Sequence, residues 1–423
     1  MGQTMAQKLL AKASGQKEVQ TGKIMEVNLD RIMIHEGIGW GIADAVKNLG
    51  VERLAVPDKI VALLDHFAPP PNEAAANFHR VCRKFVSDFG IKEFLDMRKG
   101  ICHQVMVEDY VNPGEIIVGS DSHTPTYGAL GSFATGLGFT DTAMAMVTGK
   151  TWFKVPETIR IDLIGKMPDG VAAKDVVLEL LGRLKADGAN YLSCEFGGEG
   201  LHRLSVDGRI SICNMCAEMG AKVALMPVDD KVIQYLQAHG RPVRPDAVVE
   251  PDADAVYRQR LTVNLSELTP RVALPHSPDN VFPVSETKPV NVDQVFIGSC
   301  SNGRLEDMRA VSEILTKRQV HPRVRLVVIP ASYRVLRDMA HEGILDVFIN
   351  SGAVIGPSTC GPCFGGHFGL LGAGEVCVST STRNFIGRMG SKDAYVYLTS
   401  PQTAAASAVM GCLTDPRELL RSP

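Results

Sequence analysis

The sequence has few aromatic residues and no block of like charges. Its 423 residues include only 15 Phe, 8 Tyr and 2 Trp, and 44 Lys and Arg are interspersed with 47 Asp and Glu. Because no basic run or stripe stands out, neither a nucleic acid nor an anionic membrane surface is expected as a partner. Charged residues interrupt every long apolar stretch, so no membrane-spanning helix is expected, and no secretory leader is recognisable.

The chain also has too few cysteines for a disulfide scaffold, with ten in its whole length. Free thiols are compatible with a reducing compartment, and we therefore expect a cytoplasmic protein whose cysteines can serve as ligands. A chain of this length exceeds what one hydrophobic core usually organises, which predicts several domains.

Short β-type runs alternate with helical stretches, which predicts an α/β fold with largely parallel sheets. Apolar residues at helical spacing predict a first helix over about residues 4–14, ending at Gly15. Further helices are predicted over Val176–Leu184 and Glu306–Leu315. Strands are predicted over Arg53–Val56, Glu115–Val118, Val324–Ile329 and Glu375–Ser379.

Two shifts in composition suggest domain boundaries. Near Lys154–Glu157 a Gly/Thr-rich segment gives way to an alternating strand, and the segment between Arg241 and Pro289 is rich in Pro, Asp and Val. We interpret the second segment as a surface-running connection. These shifts predict three α/β domains, at residues 1–155, 156–287 and 288–423.

Three cysteines occur in loops with unusual neighbours. Cys300 lies in FIGSCSNGR, and Cys360 and Cys363 lie in IGPSTCGPCFGG. Glycine and proline let backbone amides approach sulfur closely, and strand-to-helix turns direct N–H groups toward an anion. This pattern predicts a metal centre. With three thiolates, a 4Fe–4S cluster would keep one iron open for a substrate.

Other interpretations of these cysteines remain open at this point. Buried free thiols can act simply as small hydrophobic residues. A second CxxC pair, Cys213 and Cys216, raises the possibility of a zinc-stabilised binding protein, although it lies roughly 140 residues from the other pair and zinc knuckles are usually within about 20. A thioredoxin-like redox site is a third alternative.

Several polar groups accompany the cysteines: Asp65-His66, His103, Asp121-Ser122-His123, the pair Asn214 and Glu218, and the pair Arg383 and Arg388. Each has a structural alternative, such as a hydrogen-bonded pair, a helix cap, a solvated helix face or a surface charge. Together they offer what hydration of a polycarboxylate needs, namely oriented histidines as acids, arginines as carboxylate clamps and a Lewis-acid metal.

The motifs GSDSHT, ICNMCAE, IGSCSNGR, GPSTCGPCFGGHFG, RNFIGRMG and TSPQTAAASAVMG resemble those of the aconitase family. They occur in the family's order and extend over essentially the whole chain. The resemblance implies three aconitase-like α/β domains packed around a 4Fe–4S cluster, with Cys300, Cys360 and Cys363 as ligands and the fourth iron without a protein ligand. It also implies that Cys213 and Cys216 are not ligands.

The same resemblance assigns roles to the polar groups. The residues that it implies to be catalytic are Asp65, His66, His103, Asp121, Ser122, His123 and Glu218. Those that it implies to bind substrate are Asn214, Arg383 and Arg388.

The chain ends where one-chain family members continue into a mobile fourth domain. The resemblance therefore implies the large subunit of a two-component hydro-lyase acting on a small hydroxy dicarboxylic acid. A small swivel-domain subunit would supply the serine base and a carboxylate-binding arginine. We expect the isolated chain to be inactive.

Two positions depart from the family pattern. Thr382 stands where family members usually have an asparagine near the cluster. The segment His35–Ala43 (HEGIGWGIA) lacks the expected Gln, Thr or Ser pattern, and its Trp40 would suit a branched, less charged substrate or serve in packing.

Overall fold

The computed structural model describes residues 2–420, apart from the side chains of residues 38–40, so the interpretation of Trp40 lies outside the described residues. The chain forms two compact units. The first comprises the chain up to Arg98, Val105–Ile164 and Ala189–Val263, and the second comprises Lys99–Gln104, Gly165–Gly188 and the chain from Asn264 onward. The three domain boundaries remain a prediction. No described helix is long and apolar enough to cross a membrane.

The strands and helices are numbered in chain order. The strands are β1 (Ile24–Asn28), β2 (Arg31–His35), β3 (Ile60–Leu63), β4 (Glu93–Leu95), β5 (Ile116–Gly119), β6 (Phe133–Gly136), β7 (Lys150–Lys154), β8 (Thr158–Ile164), β9 (Ser193–Gly197), β10 (Val223–Leu225), β11 (Gln259–Asn264), β12 (Arg271–Ala273), β13 (Val281–Pro283), β14 (Gln294–Ile297), β15 (Arg325–Val328), β16 (Val354–Ile355), β17 (Val376–Ser379) and β18 (Tyr395–Thr399). The helices are α1 (Met5–Ser14), α2 (Glu36–Asn48), α3 (Glu73–Asp88), α4 (Cys102–Asp109), α5 (Phe139–Thr148), α6 (Ala173–Leu184), α7 (Val206–Met215), α8 (Asp230–Ala238), α9 (Ser299–Asn302), α10 (Leu305–Leu315), α11 (Tyr333–His341), α12 (Ile344–Asn350), α13 (Pro401–Met410) and α14 (Arg417–Leu420).

The first unit contains a parallel sheet with the strand order β4-β3-β2-β5-β6. Helix α2 follows β2 directly. Strands β3 and β4 are added on one side of β2, and β5 and β6 are added on its other side, so the strand order reverses at β2. In open α/β sheets, functional loops gather at the carboxyl ends of strands beside such a reversal of order. A second sheet has the order β10-β9-β8-β11, and β1 pairs with β7. Apolar side chains of the parallel sheet, of β1 and β7 and of β10 belong to one hydrophobic core.

The second unit is built on a sheet with the order β13-β12-β18-β17-β14-β15-β16. The five strands from β18 to β16 are parallel, and β12 and β13 extend them as an antiparallel edge. Helices α10, α11, α12 and α13 contribute to the core against this sheet. The α/β fold with largely parallel sheets is therefore confirmed.

Most of the predicted elements are confirmed. Helix α1 begins after Thr4, whose side chain forms a capping box with Gln7, and it ends at Gly15, which adopts a left-handed conformation at φ 71°. Helices α6 and α10 and strands β5, β15 and β17 lie where they were predicted.

Two predictions are wrong. Arg53–Val56 is not a strand, because Pro57 follows and begins a short 3-10 turn, and the strand forms only after it, at Ile60–Leu63. The segment between Arg241 and Pro289 is not merely a connection, because it contributes β11, β12 and β13 to two sheets. Pro283 is tolerated in β13 because β13 is the edge strand of its sheet.

Candidate functional site

The carboxyl ends of β3, β2 and β5 carry the polar residues of the first unit. These strands are neighbours in the parallel sheet, so the residues that follow them meet at one edge. Asp65-His66 follows β3, His35 ends β2, and Asp121 follows β5. The arrangement brings together two groups that the sequence analysis singled out and one, His35, to which it gave no role.

Asp65 and His66 form a buried hydrogen-bonded pair. His66 Nδ1 lies 2.8 Å from Asp65 Oδ1, and both residues are buried. Nδ1–H donates to the carboxylate, and on the opposite side of the ring His66 Nε2 lies 3.8 Å from Asp121 Oδ2. A carboxylate that fixes the ring in this way suits a general acid or base.

Glu36 holds the backbone of this pair and was missed by the sequence analysis. Its carboxylate, on a residue only 1% exposed, accepts hydrogen bonds from three consecutive backbone amides: those of Asp65 at 3.0 Å, His66 at 2.7 Å and Phe67 at 2.8 Å. A second buried imidazole, His79, faces the same carboxylate at 3.7 Å. Charge-assisted hydrogen bonds of this kind fix a loop more strongly than neutral ones.

The second predicted group continues from Asp121 to Glu218. Asp121 Oδ1 accepts a hydrogen bond from His123 N at 2.7 Å, and His123 Nε2 lies 2.8 Å from Glu218 Oε1. Asn214 is fully buried and donates to Thr126 Oγ1 at 2.9 Å. Asn214 and Glu218 are therefore not a solvated helix face, because both side chains are buried.

The cysteines follow strands of the second unit's sheet. Cys300 lies in α9, directly after β14, and Cys360 and Cys363 lie in the segment after β16. The turn before Cys300 depends on Gly298, at φ 157°, where an added Cβ would approach the carbonyl oxygen of Ile329 to 2.7 Å. Cys300, Cys360 and Cys363 are 5%, 7% and 5% exposed, so all three are buried but retain a small solvent-accessible area.

Two arginines donate to backbone carbonyls of these cysteine loops, and a buried lysine donates to a side chain beside Cys300 and to the backbone of another loop. Arg304 donates to the carbonyl oxygens of Ser301 and Cys300, and Arg388 Nε donates to that of Cys363 at 3.0 Å. Lys174, fully buried at the start of α6, donates to Ser301 Oγ at 3.0 Å and to the carbonyl oxygens of Thr380 and Ser381 at 3.0 and 2.8 Å. Positive charge beside thiolate-bearing loops favours an anionic metal centre.

Two buried hydroxyl groups in the second unit are suited to hydrogen bonding with a bound ligand or cofactor. Among the described residues, Ser358 Oγ and Thr382 Oγ1 are buried and have no hydrogen-bond partner. Ser358 precedes Cys360 by two residues, and Thr382 belongs to the loop that Lys174 holds. Since buried polar atoms are normally satisfied, these hydroxyl groups are suited to a ligand that accepts or donates hydrogen bonds.

The other CxxC pair has a different character. Cys213 and Cys216 are completely buried in the first unit, and burial raises the pKa of both thiols. Cys216 Sγ donates to the carbonyl oxygen of Ile212 at 3.3 Å. Protonated thiols are poor metal ligands, which favours the interpretation that these two cysteines pack as small hydrophobic residues.

Three further predicted residues are His103, Ser122 and Arg383. His103 is buried near the start of α4, two residues after Ile101, which packs with Cys300, Cys360 and Ala331. Ser122 is exposed, and Arg383 is half-buried.

Sequence reasoning missed His35, Glu36, Lys174 and Arg304. Arg304 stands inside the quoted motif IGSCSNGR, and His35-Glu36 opens the segment noted for its departure from the family pattern. Their position at a strand end or beside a cysteine was a usable signal. Lys174 has no such signal, because its partners lie 127 to 207 residues away in the sequence.

Comparisons with known proteins give a consistent result. A model of the aconitase family (aconitate hydratase) matches residues 7–291 and 285–411. The 3-isopropylmalate dehydratase large subunit 1 of Methanopyrus kandleri is 50% identical over 425 residues, which is 99% of this chain and 100% of that protein. The methanogen homoaconitase large subunit of Methanocaldococcus jannaschii is 42% identical over 419 residues, covering 97% of this chain and 99% of that protein.

One solved structure supports the fold. The crystal structure of Thermococcus kodakaraensis aconitase X in its holo-form matches with a TM-score of 0.50 at 13% sequence identity. The match covers 85% of this chain and 84% of that chain. At this level of identity the likeness concerns the fold alone.

Proposed function

Because the chain belongs to the aconitase family, we propose that it is the large subunit of 3-isopropylmalate dehydratase, which converts 2-isopropylmalate to 3-isopropylmalate in leucine biosynthesis. The relative from Methanopyrus kandleri, which matches at 50% identity over its full length, supports this substrate. The homoaconitase relative at 42% identity supports a second candidate, the large subunit of a homoaconitase.

Membership of the aconitase family implies an iron–sulfur cluster. We assign a 4Fe–4S cluster to Cys300, Cys360 and Cys363, because all three thiols are buried in loops whose carbonyls are held by cations. When bound, such a cluster supplies one iron with an open position that acts as a Lewis acid toward a hydroxyl group and a carboxylate.

The observation that carries the proposed chemistry is the buried Asp65-His66 pair. His66 gives the proton at Nε2 to the departing hydroxyl group, and Asp65 holds the ring through Nδ1 and stabilises its charged form. In the reverse direction His66 takes a proton from the water that adds to the neighbouring carbon. His103, His123, Ser122, Asp121 and Glu218 belong to the same proposed proton-handling set.

Substrate binding is assigned to Arg383, Arg388 and Asn214. The two arginines suit carboxylates because a guanidinium group can donate two parallel hydrogen bonds to one carboxylate. A small partner subunit with a swivel domain supplies the serine base that removes the proton next to a carboxylate, together with one more arginine. The protein therefore works as a heterodimer in the cytoplasm.

The cluster assignment is tested by Cys360→Ser, with Cys412→Ser as a matched control in the same unit. Cys412 is a half-buried thiol whose Sγ contacts Thr414 Oγ1 at 3.6 Å. The Cys360 variant should lose the visible absorbance of the cluster and the dehydratase activity together, while the control keeps both. About four iron and four acid-labile sulfides per wild-type chain are expected, and one zinc with no sulfide would contradict the proposal.

The substrate is tested with the chain co-expressed with its small subunit. A panel of 2-isopropylmalate, homoaconitate, citraconate and 2,3-dimethylmalate separates the two candidates from simpler hydratases of the same family. The highest kcat/KM is expected for 2-isopropylmalate. Activity of the cluster-loaded large chain alone would contradict the division of labour between subunits.

A further inference from the structure

Two imidazole rings lie face to face at the carboxyl end of β2 and β3. The ring centroids of His35 and His66 are 4.1 Å apart and their planes differ by 19°. The proposed function gives a role to His66 only. His35 is 4% exposed, and its Nε2 finds no hydrogen-bond partner among the described residues. A buried polar atom without a partner costs free energy, so its presence at this site calls for an explanation.

The local backbone fixes the tautomer of His35. His35 is the N-cap of α2, and its Nδ1 accepts a hydrogen bond from Gly37 N at 3.1 Å. An imidazole nitrogen that accepts must be unprotonated, so the neutral ring carries its hydrogen on Nε2. The side without a partner is therefore a donor.

The Nε2 atoms of both rings face the same carboxylate oxygen. His35 Nε2 lies 3.7 Å and His66 Nε2 lies 3.8 Å from Asp121 Oδ2. These separations exceed a direct hydrogen bond, and a polar contact of this length is suited to a bridging water molecule or hydroxyl group. The oxygen of a water molecule or hydroxyl group between these three atoms would accept a hydrogen bond from His35 Nε2 and donate one to Asp121 Oδ2. It would also lie beside His66 Nε2, the atom that transfers the proton in the proposed reaction.

We propose that His35 is a positioning residue for His66: it holds the His66 ring by stacking and, with Asp121, fixes where the departing or attacking water meets His66 Nε2. The proposal rests on the proposed function, in which His66 transfers that proton. In the dehydration step the carbon–oxygen bond breaks, its electron pair stays on oxygen, and the His66 proton completes the water molecule.

The charges around His35 agree with a neutral ring in this role. Burial lowers the pKa of His35, and so does the neighbouring His66. The carboxyl groups of Asp121, Asp65 and Glu36 act in the opposite direction without reversing the shift. His35 therefore stays a neutral donor while His66 changes its protonation state.

A metal site at this point is disfavoured by the same geometry. His35, Glu36, Asp65 and His66 place ligand atoms within 4.8 Å of one another. His35 Nε2 bears the hydrogen of the fixed tautomer and so offers no lone pair. The Glu36 oxygens already accept hydrogen bonds from three backbone amides.

His35→Asn tests the proposal without removing the helix cap. The asparagine oxygen can accept the Gly37 N–H as Nδ1 does, since asparagine is a favoured N-cap residue, but the stacked ring and the Nε2 donor are lost. In the holoenzyme with its small subunit, kcat should fall about tenfold to a hundredfold, with a smaller change in KM. His239→Asn is the matched control, because His239 is also an imidazole at a helix end that packs on another ring, with its centroid 4.3 Å from that of Tyr235 and the planes tilted by 31°. The control should keep the wild-type kcat.

A second readout follows His66 directly. Histidine ring signals of the large-subunit chain, assigned with His66→Asn, are titrated by NMR. The His66 titration should move upward in pH in His35→Asn, because loss of the covering ring lets water reach the imidazolium. His35→Phe keeps a stacked ring without the donor, so it should leave the His66 titration closer to wild type while kcat stays low.

Either a wild-type kcat or an unmoved His66 signal in His35→Asn overturns the proposal. The NMR titration needs no substrate, so it remains decisive if the assigned substrate is wrong. Failure of the proposed function would instead show as a wild-type holoenzyme that dehydrates none of the hydroxy acids in the panel.

Discussion

Glu36→Gln is the most specific test of how the Asp65-His66 pair is held. It replaces one carboxylate oxygen with an amide nitrogen and leaves the shape of the side chain nearly unchanged. Oε1 of the glutamine can still accept from the amides of His66 and Phe67. The new NH2 group faces the Asp65 N–H, which bonded Oε2 at 3.0 Å and now meets another donor.

The magnitude follows from the number of hydrogen bonds affected. One charge-assisted hydrogen bond is lost and two lose their charge assistance, at about 1.5–3 kcal/mol for a bond to a charged group. The expected cost is about 2–4 kcal/mol in the local stability of the Asp65–Phe67 segment. This corresponds to amide hydrogen exchange that is about 30-fold to several-hundred-fold faster at these three residues. Displacement of the Asp65-His66 pair should also lower kcat about a hundredfold.

The assay compares amide exchange in the cluster-free chain with kcat of the reconstituted heterodimer. Glu342→Gln is the control, since Glu342 forms an exposed ion pair with Arg309 at 2.6 Å, and such pairs contribute at most about 1 kcal/mol. Wild-type exchange at residues 65–67 together with a wild-type kcat in Glu36→Gln would refute the positioning role of this carboxylate.

Three further perturbations address other parts of the chain. His66→Asn should lower kcat by about 10²- to 10⁴-fold with iron and sulfide contents unchanged, and loss of the cluster would mean that His66 acts structurally instead. Lys174→Met should make the reconstituted cluster decay in air about tenfold faster, whereas Lys174→Arg should retain most of its lifetime; equal decay of both variants and the wild type would exclude this role for the buried cation. Burial raises the pKa of Asp175 to about 7 against hydrogen bonds from the backbone of Arg271 and Ala172. Between pH about 4 and 7 the native state therefore keeps a proton that the unfolded chain has released, and stability falls as pH rises through this window. Asp175→Asn should lack this fall, so its free energy of unfolding relative to wild type should increase with pH, by up to about 4 kcal/mol across this window. The measurement is the melting temperature of both proteins against pH, and parallel pH profiles would contradict the raised pKa.

Much of the fold could be predicted from the sequence because the signals are local. Helix α1 has its capping box and terminal glycine within a dozen residues, and α6 and α10 show their apolar faces at helical spacing. The failures have local causes too. At Arg53–Val56 the β-type composition is overridden by Pro57, and the three-residue strands β12 and β13 are too short to show a periodic pattern.

The site was predictable where a motif follows a strand. Asp65-His66, Asp121 and Cys300 each come directly after a buried run, and the carboxyl ends of parallel strands collect such residues. Lys174 could not be found in this way. Its side chain is recognised only when three acceptors distant in sequence meet around it, and the surrounding Ala-Ala-Lys-Asp gives no hint of burial.

His35 and Glu36 show why residues at the end of the central strand β2 were not predicted to belong to the site. In the order β3-β2-β5, a residue at the end of β2 has a loop on each side, so its neighbours can serve both. Glu36 accepts the amides of the β3 loop, while His35 stacks on His66 from that loop and faces Asp121 from the β5 loop. The motifs with Asp65-His66 and Asp121 follow the outer strands β3 and β5. The residues that position them, His35 and Glu36, lie at the end of β2, the strand between these two. Polar residues at the end of a central parallel strand are therefore candidates for positioning roles even when no motif marks them.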